Sequence, residues 1–520
     1  MTHPESGARA LSTGPDALPD WLATRAESSP DGIALVVGAK SWSFRALDAE
    51  VTRTACRLAE LGVPAGGRVA TLLENGPAAA VLPHALLRLG ATIVPLNLRL
   101  SASELAWQLA NAAPCLLVAD KRTLQRSRDA SVSIAGLVTT CLDGDGLIPL
   151  DAPVDRAAPL APRLRLAHPV DAVLAIIYTS GTTGLPKGAM LTVGNFWWSA
   201  IGSALNLGVH RNDSWLACLP LFHVGGLSIV LRSAIYGTTC VLHETFDAEA
   251  VNESIDDGSI TIVSVVAVML QRMLDLRGDR RYPASLRCVL VGGGPAPESL
   301  LHRCAELGVP VVQTYGLTEA CSQVATLSLE DTRLHAGSAG RVLYPNELRI
   351  ASSSVGKEVE DDAGEILVRG PIVMAGYAGQ AEASARAIVD GWLHTGDIGR
   401  LDADGFLFVL DRRDDLIITG GENVYPAEVE TVLLAHASVV EAGVIGVADP
   451  QWGQRIVAVV RTGGGASEHD DRASILALCH ARLARYKVPS EFRFVAEPLP
   501  CTASGKLRRA ELRALVSADG

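Results

Sequence analysis

Short β-branched runs recurring between alanine- and leucine-rich stretches constrain this chain more than any other feature of its 520 residues. RVATLLENG and ATIVPLN are separated by a helical-looking segment, and ITIVSVVAVML, LRCVLVGGGPAPESLL and VPVVQTYGLTEA each repeat strand, loop, helix. That alternation predicts an α/β fold with parallel sheets and ligand loops at the strand C-termini. After about Ser328 the texture changes. GEILVRG and GFLFVLDRRDDLIITGG read as short strands with glycine turns, a small β subdomain. Beyond Asp415 come a helix (AEVETVLLAHA), two strands (VVEAGVIGV, RIVAVVR), another helix and a strand (EFRFV), a compact α+β module in which GGGASEHDD, 463–471, reads as an exposed loop. The expected division is 1–411 for a large N-terminal domain and 412–520 for a smaller, mobile C-terminal one.

At this length, with 48% hydrophobic residues, two or more cores are expected. A net charge of −12 with no lysine- or arginine-dense face excludes a general nucleic-acid binder, although single basic residues can still hold an anion. Ten cysteines are scattered singly, without CxxC pairs or zinc spacing, which suits a reduced cytosol. Runs such as IVSVVAVML are too short to cross a bilayer, and the first residues carry proline and acids where a signal peptide needs an apolar core. A cytoplasmic protein with no membrane insertion is expected.

The stretch YTSGTTGLPKGAM, 178–190, follows the apolar AVLAII and packs glycines, hydroxyls and one lysine together. Glycine admits close backbone approach, hydroxyls donate hydrogen bonds and Lys187 adds positive charge, a combination suited to polyphosphate. It is not GxxxxGK[ST], because Lys187 precedes Gly188. A polar surface turn is the competing reading. GGGP, TYGLTE and HTGD follow with the same ambiguity: a turn or a flat surface for a base, a carboxylate suited to magnesium, an acid suited to two ribose hydroxyls.

Taken together and in order, YTSGTTGLPKGAM, LPLFH, YGLTE, HTGD, DRRDDLIITGGENVYP and TASGK resemble the adenylate-forming acyl- and aryl-CoA synthetases over residues 21–509. The resemblance implies two steps: a carboxylate attacks the α-phosphate of MgATP to give an acyl-adenylate and pyrophosphate, and the coenzyme A thiol then displaces AMP. It implies that Thr179, Ser180, Gly181, Thr182, Thr183, Gly184 and Lys187 hold the ATP phosphates and that Glu319 binds magnesium. Gly292, Gly293, Gly294, Tyr315, Gly316 and Thr318 would surround the adenine side of the nucleotide, Asp397 would grip its ribose, and Arg412 would make a second ribose or phosphate contact. Lys506 would bridge the carboxylate and the α-phosphate, Asp414 would be the hinge of a swinging C-terminal domain, and Gly420 and Gly421 would line the pantetheine tunnel. Asp411, where the family often has glycine, is a departure just before that hinge. His223 matches a gate between acyl pocket and tunnel, its alternative being a core histidine.

Within the family, QTYGLTEACSQVATLS and LPLFHVGGLSIVLRSAIYGTTCVL look closest to the branch that activates o-succinylbenzoate for menaquinone biosynthesis. Its acid carries a ring and two carboxylates. Gly316, Ser322 and His223 would then border the acyl pocket, and Arg232, a charge in an otherwise apolar segment, would hold the second carboxylate, unless it is simply one half of a structural ion pair. Another aryl- or medium-chain acyl-CoA ligase, an adenylating enzyme serving a carrier protein and a non-catalytic relative are the alternatives. Homodimers are common in this family.

Overall fold

A computed structural model describes residues 16–517 apart from 101, 133, 135, 143–162, 180–185, 295, 336, 353–362, 413–416, 420–421, 425, 450–451, 464–467, 484 and 503–506. The apolar runs form two sheets. In the first, the strands run in the order Lys187–Thr192, Val173–Thr179, Thr92–Pro95, Arg68–Leu72, Leu116–Ala119, Val138–Cys141. Only the Lys187 strand is antiparallel to its neighbour. A second sheet of nine strands has the parallel core Val311–Leu317, Cys288–Val291, Ile262–Val265, Ser214–Ala217, Thr239–Leu242 and Ile33–Val37.

These parallel strands are mostly apolar on both sides because both faces are covered. Ile262, Cys288, Leu290 and Val312 join one core and Val263, Val289, Val291 and Val311 the other. The helices begin and end where local chemistry dictates. Thr192 and Asn195 form a reciprocal capping box at the start of helix Val193–Leu207. Helix Val224–Tyr236 stops at Gly237, φ +75°, a left-handed cap that only glycine adopts without cost.

The change of texture after Ser328 corresponds to a five-stranded sheet containing Glu347–Ser352, Gly364–Arg369, Trp392–Leu401 and Leu407–Arg412. The C-terminal module is a further five-stranded sheet around Val439–Asp449 and Gly453–Thr462. Alternate residues of the latter strand, Ile456, Ala458 and Val460 against Val457 and Val459, enter two separate cores, so this module buries both sheet faces on its own. The fold class is as expected: large α/β portion, β subdomain, smaller α+β module.

Two local expectations fail. VPVVQTYGLTEA does not lead into an α-helix: strand Val311–Leu317 passes through a single 3₁₀ turn, Thr318–Ala320, and returns antiparallel as Ser322–Thr326. The polar TEACSQ closes a hairpin because Cys321 and Ser322 take positive φ, +50° and +92°, which reverses the chain before a helix can propagate. And 463–471 is not wholly loop, since helix Glu468–Arg482 starts inside it. Among the described residues no helix is long and apolar enough to cross a membrane. None of the ten cysteines forms a disulfide.

Candidate active site

The C-terminal end of strand Val173–Thr179, the 3₁₀ turn after Leu317 and the segment after Val373 converge on one spot. Thr179 stands opposite Lys187 in the antiparallel register, and its hydroxyl lies 3.3 Å from Glu319 Oε1. Tyr377 donates its hydroxyl to the same oxygen at 3.0 Å, and Lys187 Nζ sits 5.3 Å from the centre of the Tyr377 ring. The lysine expected at the phosphates and the carboxylate expected at magnesium are thus neighbours of one aromatic ring. Ser180, Gly181, Thr182, Thr183 and Gly184, the rest of the expected phosphate loop, lie outside the described residues.

Gly292 to Gly294 follow strand Cys288–Val291 and precede helix Glu298–Leu307, as read from the sequence. A Cβ on Gly292 would come 2.9 Å from Thr314 Cγ2, so the glycine turn hugs the next strand. Gly316 is tighter still: its Cβ would fall 1.6 Å from the Ser322 carbonyl, at the bulge that carries Tyr315 inward and leaves Gly316 exposed. Tyr315 is buried and donates its hydroxyl to Asp397 Oδ2 at 2.8 Å, joining the residues expected at adenine and ribose into one unit. HTGD is not a loop but lies within the strand Trp392–Leu401, kinked at Gly396 with φ +71°. Glu365 accepts from Gly396 N and from the His394 ring, both at 3.0 Å, and holds that kink. Arg412 pairs with Asp397 in the backbone register, but its side chain lies outside the described residues, as do Asp414, Gly420, Gly421 and Lys506.

His223 is the N-cap of helix Val224–Tyr236, its ring 4.6 Å from that of Phe222. Its Nε2 is buried without a hydrogen-bond partner, and burial, helped by the charge of Arg99, pushes its pKa down to about 4. It is therefore a neutral imidazole at neutral pH. Two and a half turns along the same helix, Arg232 is 3% exposed. Its Nη2 donates to Ser199 Oγ at 3.1 Å, Ser199 donates onward to the Cys321 carbonyl at 2.6 Å, and the guanidinium lies 5.5 Å from the Trp215 ring. Burial lowers its pKa, though an arginine keeps its proton. No carboxylate comes within 4.0 Å of it among the described residues, so the structural ion pair weighed from the sequence is not present there. Arg232 Nε, Ser228 Oγ and both amide atoms of Gln323 are buried without partners. Ser228 precedes Arg232 by one helical turn, and Gln323 follows Ser322 on the strand that packs against this helix. The expected acyl-pocket residues Ser322 and Arg232 are thus joined through Ser199 and Cys321, while no hydrogen bond among the described residues joins His223 to Glu319 or Arg232.

Tyr377, Glu365 and Ser199 escaped the sequence reading. Tyr377 sits in AGYAG, where a lone aromatic between small residues carries no periodic or catalytic pattern; its partners are 58 and 190 positions away in sequence.

Residues 22–378 match the model of the AMP-binding enzyme family and 428–506 that of the AMP-binding enzyme C-terminal domain. The chain is 49% identical to a 2-succinylbenzoate–CoA ligase of Geobacillus kaustophilus over 96% of this chain and 98% of that one. It is 44% identical to the enzyme of that name from Bacillus cereus over 96% and 99%. The o-succinylbenzoate CoA synthetase of Bacillus subtilis, solved with its acyl-adenylate intermediate, superposes with a TM-score of 0.86 at 41% identity, covering 96% of this chain and 98% of that one. The same synthetase with ATP and magnesium ion gives 0.85 at 40% identity, covering 96% and 100%.

Proposed function

The chain belongs to the AMP-binding enzymes, and on that premise we propose that it is an ATP-dependent carboxylate–CoA ligase whose acid is o-succinylbenzoate. The observation that carries the choice of acid is Arg232. A buried guanidinium with a hydroxyl and an aromatic ring but no carboxylate beside it among the described residues costs several kcal/mol, and a substrate carboxylate repays that cost with two parallel charge-assisted hydrogen bonds. Gln323 and Ser228, buried and unpartnered, are polar groups of the same packed region.

In the first step two anions must meet, so their repulsion has to be cancelled. Lys187, beside Thr179, is the cation we assign to the phosphates, and Lys506 the one that bridges the attacking carboxylate and the α-phosphate. Glu319, a carboxylate edged by the Thr179 and Tyr377 hydroxyls, fits magnesium, an ion usually held by one or two carboxylates together with the substrate's phosphates. Magnesium, when bound, supplies charge neutralisation on those phosphates. Attack forms the acyl–O–P bond as the α–β phosphoanhydride breaks and pyrophosphate leaves. Asp397, buried and fixed by Tyr315, accepts from the ribose hydroxyls. The thiolate of coenzyme A then attacks the acyl carbon and AMP departs. Neutral His223 adds no charge to the path between pocket and tunnel. We place the enzyme in the cytoplasm, in keeping with ten cysteines that form no disulfide, and as a homodimer, which light scattering would test.

The test compares thioester formation from o-succinylbenzoate and from the analogue lacking the ring carboxylate. Arg232→Ala should lower kcat/KM for the diacid by about 2–5 kcal/mol, a factor of tens to thousands, and far less for the monoacid, with KM for ATP nearly unchanged. Equal losses would return the acid to the wider aryl- and acyl-CoA ligase class. A pyrophosphate-release screen over other acids, with coenzyme A and a carrier protein in competition, separates the remaining readings.

A further inference from the structure

Lys187 and Glu319 carry opposite charges beside the same tyrosine, yet they do not pair: no contact within 4.0 Å joins them, and both are described in full. Tyr377 touches both. Its hydroxyl is spent on Glu319 Oε1 and its ring face is turned to the Lys187 ammonium. It is 8% exposed and cannot easily step aside. Its segment lies antiparallel along Lys187–Thr192 through a single bridge of Tyr377 to Ala189, with Met190 N donating to Gly376 O at 2.9 Å, Ala375 N to Met190 O at 2.9 Å and Ala378 N to Gly188 O at 2.8 Å. Its own N–H donates to Ser384 Oγ at 2.7 Å. The backbone thus fixes the ring at a set height beside the lysine.

We propose that Tyr377 is a positioning residue that holds the phosphate lysine and the magnesium carboxylate apart, so that neither neutralises the other before MgATP arrives; this rests on the roles proposed above for Lys187 and Glu319. Opposite charges that flank one ring and are both half-buried attract strongly unless something keeps them from meeting. A direct lysine–glutamate pair would cancel both charges, and ATP would have to break it. The tyrosine replaces that ion pair by two contacts that cancel neither charge, a cation–π contact for the ammonium and a hydrogen bond from an uncharged hydroxyl for the carboxylate. Both are readily exchanged for a phosphate oxygen and a cation.

The experiment is calorimetric titration of the full chain with ATP, with and without magnesium chloride, in four proteins: wild type, Tyr377→Phe, Tyr377→Leu, and Tyr377→Leu combined with Glu319→Gln. Tyr377→Phe keeps the ring between the charges, so its affinity for ATP alone should stay within about twofold of wild type. Tyr377→Leu removes the spacer and should weaken ATP alone about tenfold as Lys187 closes onto Glu319. Adding Glu319→Gln should restore the affinity for ATP alone, because the lysine is freed, while abolishing the gain from magnesium. A hole or distortion left by the leucine would not be repaired by that second change. Failure of the double variant to recover, or wild-type affinity in Tyr377→Leu, overturns the proposal. If the leucine variant does not fold, Tyr377→Phe decides: a tenfold loss of affinity for ATP alone would show that the ring alone is not what keeps the lysine available. Absence of ATP binding by the wild type would instead overturn the proposed function.

Discussion

Arg88 and Arg232 are both buried guanidiniums, and what answers their charge separates structure from function. Arg88 donates to Asp20 at 3.1 and 3.0 Å, to Thr52 at 2.8 Å and to the Asp48 carboxylate. Burial alone would raise the Asp20 carboxyl, but hydrogen bonds from His168 and Arg88, with the arginine's charge, hold it well below the usual carboxylate range. Arg88→Met should therefore cost about 3–5 kcal/mol of stability, because it strands Asp20. Arg232→Met removes a buried charge that no carboxylate balances among the described residues and should leave the denaturation midpoint unchanged or raised while activity on the diacid falls. Denaturant unfolding of the two variants checks the contrast. His84, beside the same cluster, is pushed down to about 4 by burial, with Arg88 and His168 lowering it further and Asp20 opposing them. The unfolded chain takes up that proton near 6.5 and the fold does not, so its contribution is constant above pH 6.5 and is lost as pH falls toward 4. Between pH 7 and pH 5 the wild type should lose about 2 kcal/mol more than His84→Leu, read from denaturant midpoints at the two pH values.

At the scale of elements, the hairpin Val311–Leu317 with Ser322–Thr326 does most to build the site, presenting Tyr315 inward, Glu319 at its turn and Ser322 beyond it. Its tolerance is narrow at Gly316, whose backbone touches the Ser322 carbonyl so closely that even a methyl group has no room. Gly316→Ala must open the bulge, and should cost about 1–3 kcal/mol of stability. More telling, it should lower the rate of pyrophosphate release at least tenfold by displacing Glu319, with a proportionally smaller effect on binding of coenzyme A. Unchanged pyrophosphate release at normal stability would show that the turn adjusts independently of the bulge.

At the scale of the molecule, the C-terminal module has its own two-sided core, which suits a body that moves as a unit. We propose that the boundary lies at 411/412 and that rotation about Asp414 exchanges Lys506 for the loop at Gly420 and Gly421. Lys506→Ala should then nearly abolish adenylate formation and spare thioester formation from supplied acyl-adenylate. Asp414→Pro, which fixes φ, should do the reverse. Measuring the two half-reactions separately decides, and parallel loss of both in either variant would rule out the swing.

Reading the chain was sufficient for whatever depends on local pattern. Uninterrupted apolar runs followed by helical stretches can only be covered on both faces, which is why the parallel sheets, the β subdomain and the C-terminal module were legible, and an ordered set of short motifs sufficed to place the chain in its family. The hairpin at TEACSQ was not legible, because two residues at positive φ decided against a helix that local propensity allowed. Nor was the spacing role of Tyr377, since its partners come from 58 and 190 residues away and meet only when the strand at Lys187 and the turn at Glu319 are folded side by side. Most of all, the sequence left Arg232 balanced between an ion pair and a substrate anchor. Charge in a sequence is a single-residue property, but compensation is a property of space, and only the packed helix, with a serine and, among the described residues, no acid beside the guanidinium, resolved which surroundings it has.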